Sequence, residues 1–432
     1  MTQLSATQIL ALAPDASSAS SGKALNNTSK WKNLGSSQTA FWGECQGSGK
    51  DPYRTSVDIA DYTAKCSCPS RKFPCKHGIG LMLMNAAKPL ESGTPPDWVS
   101  TWLEGRQKRA EAKTAPQAIP EDLEKAAKAT AKRLASREKK VEAGLEELGL
   151  WLSDQIKNGV SNAPSQPYSY WESVAARLVD AQAPGLARMV RELPDAAVGG
   201  WLLEALARLH LIVNAYSRLE TLSPSIQADV RAAVGFTQDK AELLQQNPPK
   251  AVWTSLGQIS VQEDNLRVRR TYLEHIESRE VALLLDFAIN SQPMAVGLPI
   301  GVTLETELIY YPSHLPLRAI LKPDVKILEN LSELRGYSIQ TALEQYATAL
   351  SKCPWLERYP MCLTDVTVQF DGTNWQIQDS SQMLPIQTDA DWYILALSGG
   401  HPVQIFGEYD GKTFVPLTLA SNGSIYTLAR QS

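Results

Sequence analysis

The spacing of apolar positions changes twice along the chain and so predicts three regions. At the N-terminus ATQILALAP predicts a short helix, followed by the Ser/Ala-rich DASSASSG. FWGECQGSGKDPYRTSVDIADYTAKCSC then predicts two strands around a loop containing GSGKDP. In the second strand Tyr53, Thr55, Val57 and Ile59 alternate with Arg54, Ser56, Asp58 and Ala60, as a strand with one buried face requires. A helix is expected from Lys76 through GIGLMLMNAAK until ESGTPP stops it. Another is expected with Asp97 as its N-cap and with Trp98 and Trp102 one turn apart on a common face.

TAPQAIP (114–120) has linker composition. Beyond it Leu123, Ala127, Leu134, Val141, Leu145, Leu148, Leu152 and Ile156 keep helical spacing. This predicts one long amphipathic helix, or a pair kinked near Gly144 or Gly149. Four more helical segments follow: SYWESVAARLVDA, GLARMVREL, GGWLLEALARLHLIVNAYSRL and SIQADVRAAV, with NPPK (247–250) closing the region. The remainder turns to strand-like runs, with one helix expected at SIQTALEQYATAL. FDGTNW and YDGKTF, 39 residues apart, share an aromatic-Asp-Gly-x-x-aromatic pattern and predict two hairpins. The expectation is an α+β multidomain chain: a small N-terminal ββα-type module with flanking helices (1–113), a helical domain (121–247) and a β-rich C-terminal domain (251–432).

Composition adds little until it is divided. The net charge of −4 combines a basic segment, residues 1–88, with 10 Lys/Arg against 5 Asp/Glu (+5), and an acidic remainder with 32 against 41 (−9). LMLMNAA and VALLLDFAI are far shorter than the ~20 apolar residues that span a bilayer, and MTQLSATQILALAPD lacks the basic start of a secretory signal. The expected location is cytoplasmic, where cysteines stay reduced.

Three of the six cysteines fall in CSCPSRKFPCKH, inside the basic segment. Cys66 and Cys68 end the alternating strand and point to one side. Pro69 stops the strand, a loop turns back, and Cys75 and His77 stand at the start of the next helix. Three thiolates and one imidazole suit a tetrahedral Zn²⁺. A catalytic zinc keeps an open position for water, whereas here four protein ligands are present, so one structural Zn²⁺ is expected and no catalysis. PCKH lacks the second cysteine of the deaminase P-C-x-x-C pattern, and H-E-x-x-H does not occur. GECQGSGKD fails as a P-loop because Glu44 replaces a glycine and Asp51 the hydroxyl residue, and Pro52 breaks G-x-G-x-x-G.

The pattern C-x-C-(x)6-C-x-H, preceded by paired strands and followed by an apolar helix, resembles the SWIM zinc finger. WGECQGSGKDPYRTSVD followed by CSCPSRKFPCKHGIGLMLM is similar to bacterial SWIM-finger proteins of about this length. The resemblance implies a ββα-type zinc module acting as a non-enzymatic adaptor toward nucleic acid or protein. In bacteria it also implies company with a MoxR-type AAA+ ATPase and a von Willebrand A-domain protein. Around the metal, Lys50, Lys65, Arg71, Lys72 and Lys76 are candidate phosphate contacts and Phe73 a candidate stacking surface. The competing reading is that these cations only offset the negative charge of a Cys3His–Zn²⁺ centre. Cys45, Cys353 and Cys362 read as ordinary thiols, and His210, inside an apolar helical run, as a core residue.

Overall fold

The computed structural model describes residues 4–47, 51–70, 72–114, 123–263, 266–289, 294, 297–389 and 391–428, and the structural statements here refer to these. The linker 114–120 lies almost wholly outside them. The chain is a mixed α+β protein with N-terminal strands, a central helical bundle and a β-rich C-terminal region.

Ser5 opens α1 (Ala6–Ala11) with a capping box. The Gln8 N–H donates to the Ser5 hydroxyl at 3.3 Å and the Ser5 N–H to the Gln8 side-chain oxygen at 2.8 Å. The Gln8 amide also donates to the Ile300 and Gly301 carbonyls, each at 3.1 Å, tying the N-terminus to a distant part of the chain. Asp15 caps α2 (Ala16–Lys23) by accepting from the Ser18 N–H at 2.7 Å. Its sequence, ASSASSGK, has almost no apolar stripe, and it packs by close backbone approach instead. A Cβ on Gly22 would lie 2.5 Å from Ile79 Cγ2, and one on Gly80 2.7 Å from Leu25 Cβ.

The finger sheet has four antiparallel strands, not two: β1 (Trp31–Ser36), β2 (Ala40–Cys45), β3 (Tyr53–Asp58) and β4 (Ala64–Cys66), in that order. α3 (Lys76–Ala87) buries every residue from His77 to Met84, because the sheet and the first two helices enclose it. α4 (Asp97–Thr114) sets Val99 against Ala40 and Trp42 on the sheet's other face. That second cover explains why Ser56, opposite Trp42 in register, is buried where alternation predicts exposure. Asp97 lies in the first turn of α4, which Pro96 opens with its carbonyl, so it is not the cap.

The bundle consists of α5 (Leu123–Asn158), α6 (Tyr168–Asp180), α7 (Pro184–Arg191), α8 (Leu193–Val198), α9 (Leu202–Ser217) and α10 (Pro224–Val234), with the single-turn α11 (Lys240–Leu243) after it. Val141, Leu145, Leu148 and Leu152 of α5 enter its core, while Leu134 and Ile156 stay exposed. α5 is one continuous helix. Gly144 is a contact point and not a kink, since a Cβ there would lie 2.4 Å from that of Ala181. His210 is exposed, with Nε2 2.8 Å from the Asn214 amide, which corrects the core assignment. Its position on α9 falls between the buried Leu206, Leu209 and Ile212 stripe and solvent.

The C-terminal region forms two sheets. The first comprises β5 (Ala251–Glu263), β6 (Leu266–His275), β7 (Val281–Ile289), β8 (Val302–Thr306), β9 (Leu308–Tyr310), β10 (Arg318–Leu321) and β11 (Lys326–Asn330), in the order β11-β8-β5-β6-β7-β10-β9. After α12 (Ile339–Lys352) comes the second: β12 (Tyr359–Phe370), β13 (Trp375–Gln378), β14 (Met383–Pro385), then α13 (Asp391–Ser398), β15 (Val403–Tyr409), β16 (Phe414–Ser421) and β17 (Ser424–Thr427), in the order β14-β13-β12-β15-β16-β17. Both Asp-Gly patterns are hairpins, with Phe370 opposite Trp375 and Tyr409 opposite Phe414. Leu256 and Tyr272 of the first sheet pack with Phe406 and Leu417 of the second.

The finger's larger core is shared. Leu4, Ile9, Phe41, Val57, Leu81 and Met82 lie in one buried cluster with Trp253, Leu273, Leu284, Val302 and Leu304 of the seven-stranded sheet. A boundary near residue 113 therefore does not separate hydrophobic cores. Among the described residues no helix is long and apolar enough to cross a membrane.

Candidate metal centre

β3 and β4 pair Thr55 with Cys66. The strand ends at Cys66, and the Arg54 N–H holds the next residue by donating to Ser67 Oγ at 3.0 Å, so Cys68 follows in a turn and not in the ladder. Cys75 is the N-cap residue of α3, and His77, the helix's second residue, lies buried in its first turn. One ligand atom each from Cys66, Cys68, Cys75 and His77 lies within 4.8 Å of all the others. His77 Nδ1 is 3.6 Å from the Cys66 sulfur and 3.8 Å from the Cys75 sulfur. Ligands ~2.0–2.3 Å from a tetrahedral zinc stand roughly 3.5–3.8 Å apart. The donor set thus has both the chemistry and the spacing for one structural Zn²⁺.

Proton affinities agree with a site made for a cation. A hydrogen bond from Cys75, opposed by burial, is the main cause that brings the Cys66 thiol down to about 4, with His77 and Thr55 adding to it. The same contact with Cys66, together with burial, pushes Cys75 up, and burial pushes Cys68 up. Three crowded sulfurs cannot all ionise by themselves, and a divalent ion removes that conflict.

Two partners of the ligands were not evident from spacing. The Thr55 hydroxyl donates to the Cys66 sulfur at 3.2 Å, and the Tyr53 ring lies 5.0 Å from that of His77. Their strand alternation puts both on the ligand side, which is the signal that would have found them. Cys45 is fully buried in the core, its thiol pushed up by burial, and stands outside the four-residue cluster.

Of the expected phosphate contacts, Lys65, Lys72, Phe73 and Lys76 are exposed around the centre. Lys50 and Arg71 lie outside the described residues. Lys72 pairs with Asp15 at 2.6 Å, so α2 reaches the finger's rim. Beside the metal ligands an open cleft of about 550 Å³ is lined by Ser17, Ser18, Ser21, Ser70, Lys72 and Lys76 among others. The serines of α2 are the contribution that sequence reasoning missed.

A closed Cys3His set between a small sheet and a helix defines a zinc-finger protein whose metal is structural. Residues 53–86 match the SWIM zinc finger family, and residues 136–234 match the SWIM-associated four-helix bundle domain. The chain carries both modules, each a binding module and neither an enzyme family. No curated protein and no solved structure is matched.

Proposed function

We propose that the protein is a non-enzymatic adaptor whose zinc-stabilised finger binds nucleic acid through phosphates, with little base discrimination. The observation that carries this reading is the cleft beside the metal, whose lining includes Lys72 and Lys76 together with Ser17, Ser18, Ser21 and Ser70. Ammonium and hydroxyl donors suit a phosphodiester, and Phe73 at the rim offers a base a stacking face. Fluorescence anisotropy with duplex and single-stranded oligonucleotides across a salt series tests it. Replacing Lys65, Lys72 and Lys76 by glutamine should flatten the log K against log salt slope by ~2–3 units, at ~0.7–0.9 per phosphate, with zinc content unchanged. Absence of binding at low salt by the unaltered protein would reject the reading. The alternative is then a protein scaffold working with a MoxR-type AAA+ ATPase and a von Willebrand A-domain protein.

A further inference from the structure

At one end of the six-stranded sheet, the core-facing side runs out into solvent. Val366, Val368 and Phe370 alternate along β12 on that side; the first two are buried, but Phe370 is 46% exposed. Trp375 stands opposite Phe370 in register, and Trp392 from the first turn of α13 completes the group. Ring centroids are 5.1 Å apart for Phe370–Trp375 and 5.1 Å for Trp375–Trp392, which cross at 88°. Trp392 is 69% exposed although it belongs to a packed aromatic trio. Contacts among the three rings hold them in place while Trp392 and Phe370 stay largely open to solvent, so a ligand would meet them already ordered.

The stretch of chain that builds this corner carries charge of one sign. Between residues 359 and 411 there is no lysine or arginine, against seven aspartates and glutamates. Glu408 is neutralised by Arg270, but Asp371 and Asp389 are exposed on the segments leading to and from the trio. The Asn374 and Thr373 N–H groups hold the Asp371 carboxyl below the usual range, which keeps it ionised. Strand addition is a poor alternative here: the edge strand β14 has three residues and ends at Pro385, which has no N–H.

We propose that this corner binds an arginine-bearing basic segment of a partner protein, its guanidinium planes lying over Trp392, Trp375 and Phe370 with Asp371 and Asp389 supplying the opposing charge. Indole faces attract cations, and the planar, weakly hydrated guanidinium stacks where an ammonium cannot. The same aspartates would repel phosphate, so this surface is distinct in chemistry from the finger's cleft.

The test uses the full zinc-loaded protein and a fluorescein-labelled Gly-Arg repeat peptide, with Gly-Lys and Gly-Gln repeats of equal length as controls. Anisotropy gives affinity, and tryptophan emission reports stacking. The Gly-Arg peptide should bind and quench emission, the Gly-Lys peptide should bind more weakly, and the Gly-Gln peptide should not bind. Trp392→Ala should weaken Gly-Arg binding about tenfold, and Asp389→Asn should weaken it at low salt. Tyr168→Ala, an exposed aromatic on α6, should leave it unchanged. Equal binding of Gly-Arg and Gly-Lys with no effect of Trp392→Ala would overturn the proposal, as nonspecific charge attraction. A dimer in sedimentation velocity that Trp392→Ala dissociates, with peptide binding unaltered, would overturn it in favour of self-association.

Discussion

Arg270 on β6 and Glu408 on β15 meet in a two-pronged ion pair across the boundary between the two large sheets, with Nε–Oε1 at 2.6 Å and Nη2–Oε2 at 2.8 Å. The Tyr272 hydroxyl donates to the same carboxylate at 2.8 Å, and the glutamate is 1% exposed. Removing one member leaves a buried charge without its counter-ion. Glu408→Gln should therefore cost about 3–5 kcal/mol in urea unfolding. Combining Arg270→Met with Glu408→Leu should recover much of that loss, because an apolar pair has no desolvation cost to offset. A single variant that is no less stable than the parent would contradict the assignment.

Zinc removal should be felt well outside the finger. The finger's apolar residues share a buried cluster with β5–β8, so losing the metal should raise hydrogen exchange in strands 251–306 as well as in 53–86. Isolated finger peptides draw an apparent ~10–16 kcal/mol from zinc, more than most domains hold in reserve. Exchange confined to residues 31–87 after chelation would show that the seven-stranded sheet stands alone.

Thr55 should matter to the metal rather than to the fold. Its hydroxyl donates to the Cys66 sulfur, and Thr55→Val keeps the strand and shape but removes that donor. Partners of this kind are worth about 10–100-fold in metal affinity. Competition with a chromophoric chelator should show a loss of this order while circular dichroism of the zinc-loaded protein is unchanged.

Asp379 gives a pH signature. Burial works against its ionisation, yet N–H donors from Ser381, Ile339 and Gln382 outweigh it and hold the carboxyl below the usual range. Its Oδ2 accepts from the Ile339 N–H at 2.7 Å, so it sits at the N-terminus of α12, where the helix dipole also favours an anion. A folded-state value below the unfolded one contributes stability in full above pH ~4 and loses it as pH falls through the folded value. Asp379→Ala should cost about 1 kcal/mol at neutral pH, and the gap from the parent should close in acid. A gap independent of pH would mean that the side chain acts by packing.

The metal centre was legible because its chemistry is local. A cysteine at a strand end with a second just beyond it, a proline stop and two ligands at a helix start are all readable from spacing, as are hairpins marked by Asp-Gly. What stayed hidden depends on partners distant in sequence. Helix α2 lacks an apolar stripe because Gly22 and Gly80 do its packing, so no period announces it. Ser56 looked solvent-facing because nothing in 53–60 reveals that α4 covers the second face of the sheet. His210 sits among apolar residues in sequence but one position off the buried stripe in space. The division of 251–432 into two sheets, and the merging of the first with the finger, follow from which apolar faces meet, and no local period records that.

The finger's shared core also limits how this chain can be cut. A small sheet and helix built around four ligands has the outline of a portable cassette, yet a fragment ending near residue 113 would leave open the side of its buried cluster that Trp253, Leu273 and Val302 complete. The complementary piece would expose the matching side of its own sheet. Neither half should be soluble without the other, and mixing the two should restore zinc retention. For this chain, grafting the finger onto another host would require moving a seven-stranded sheet along with it.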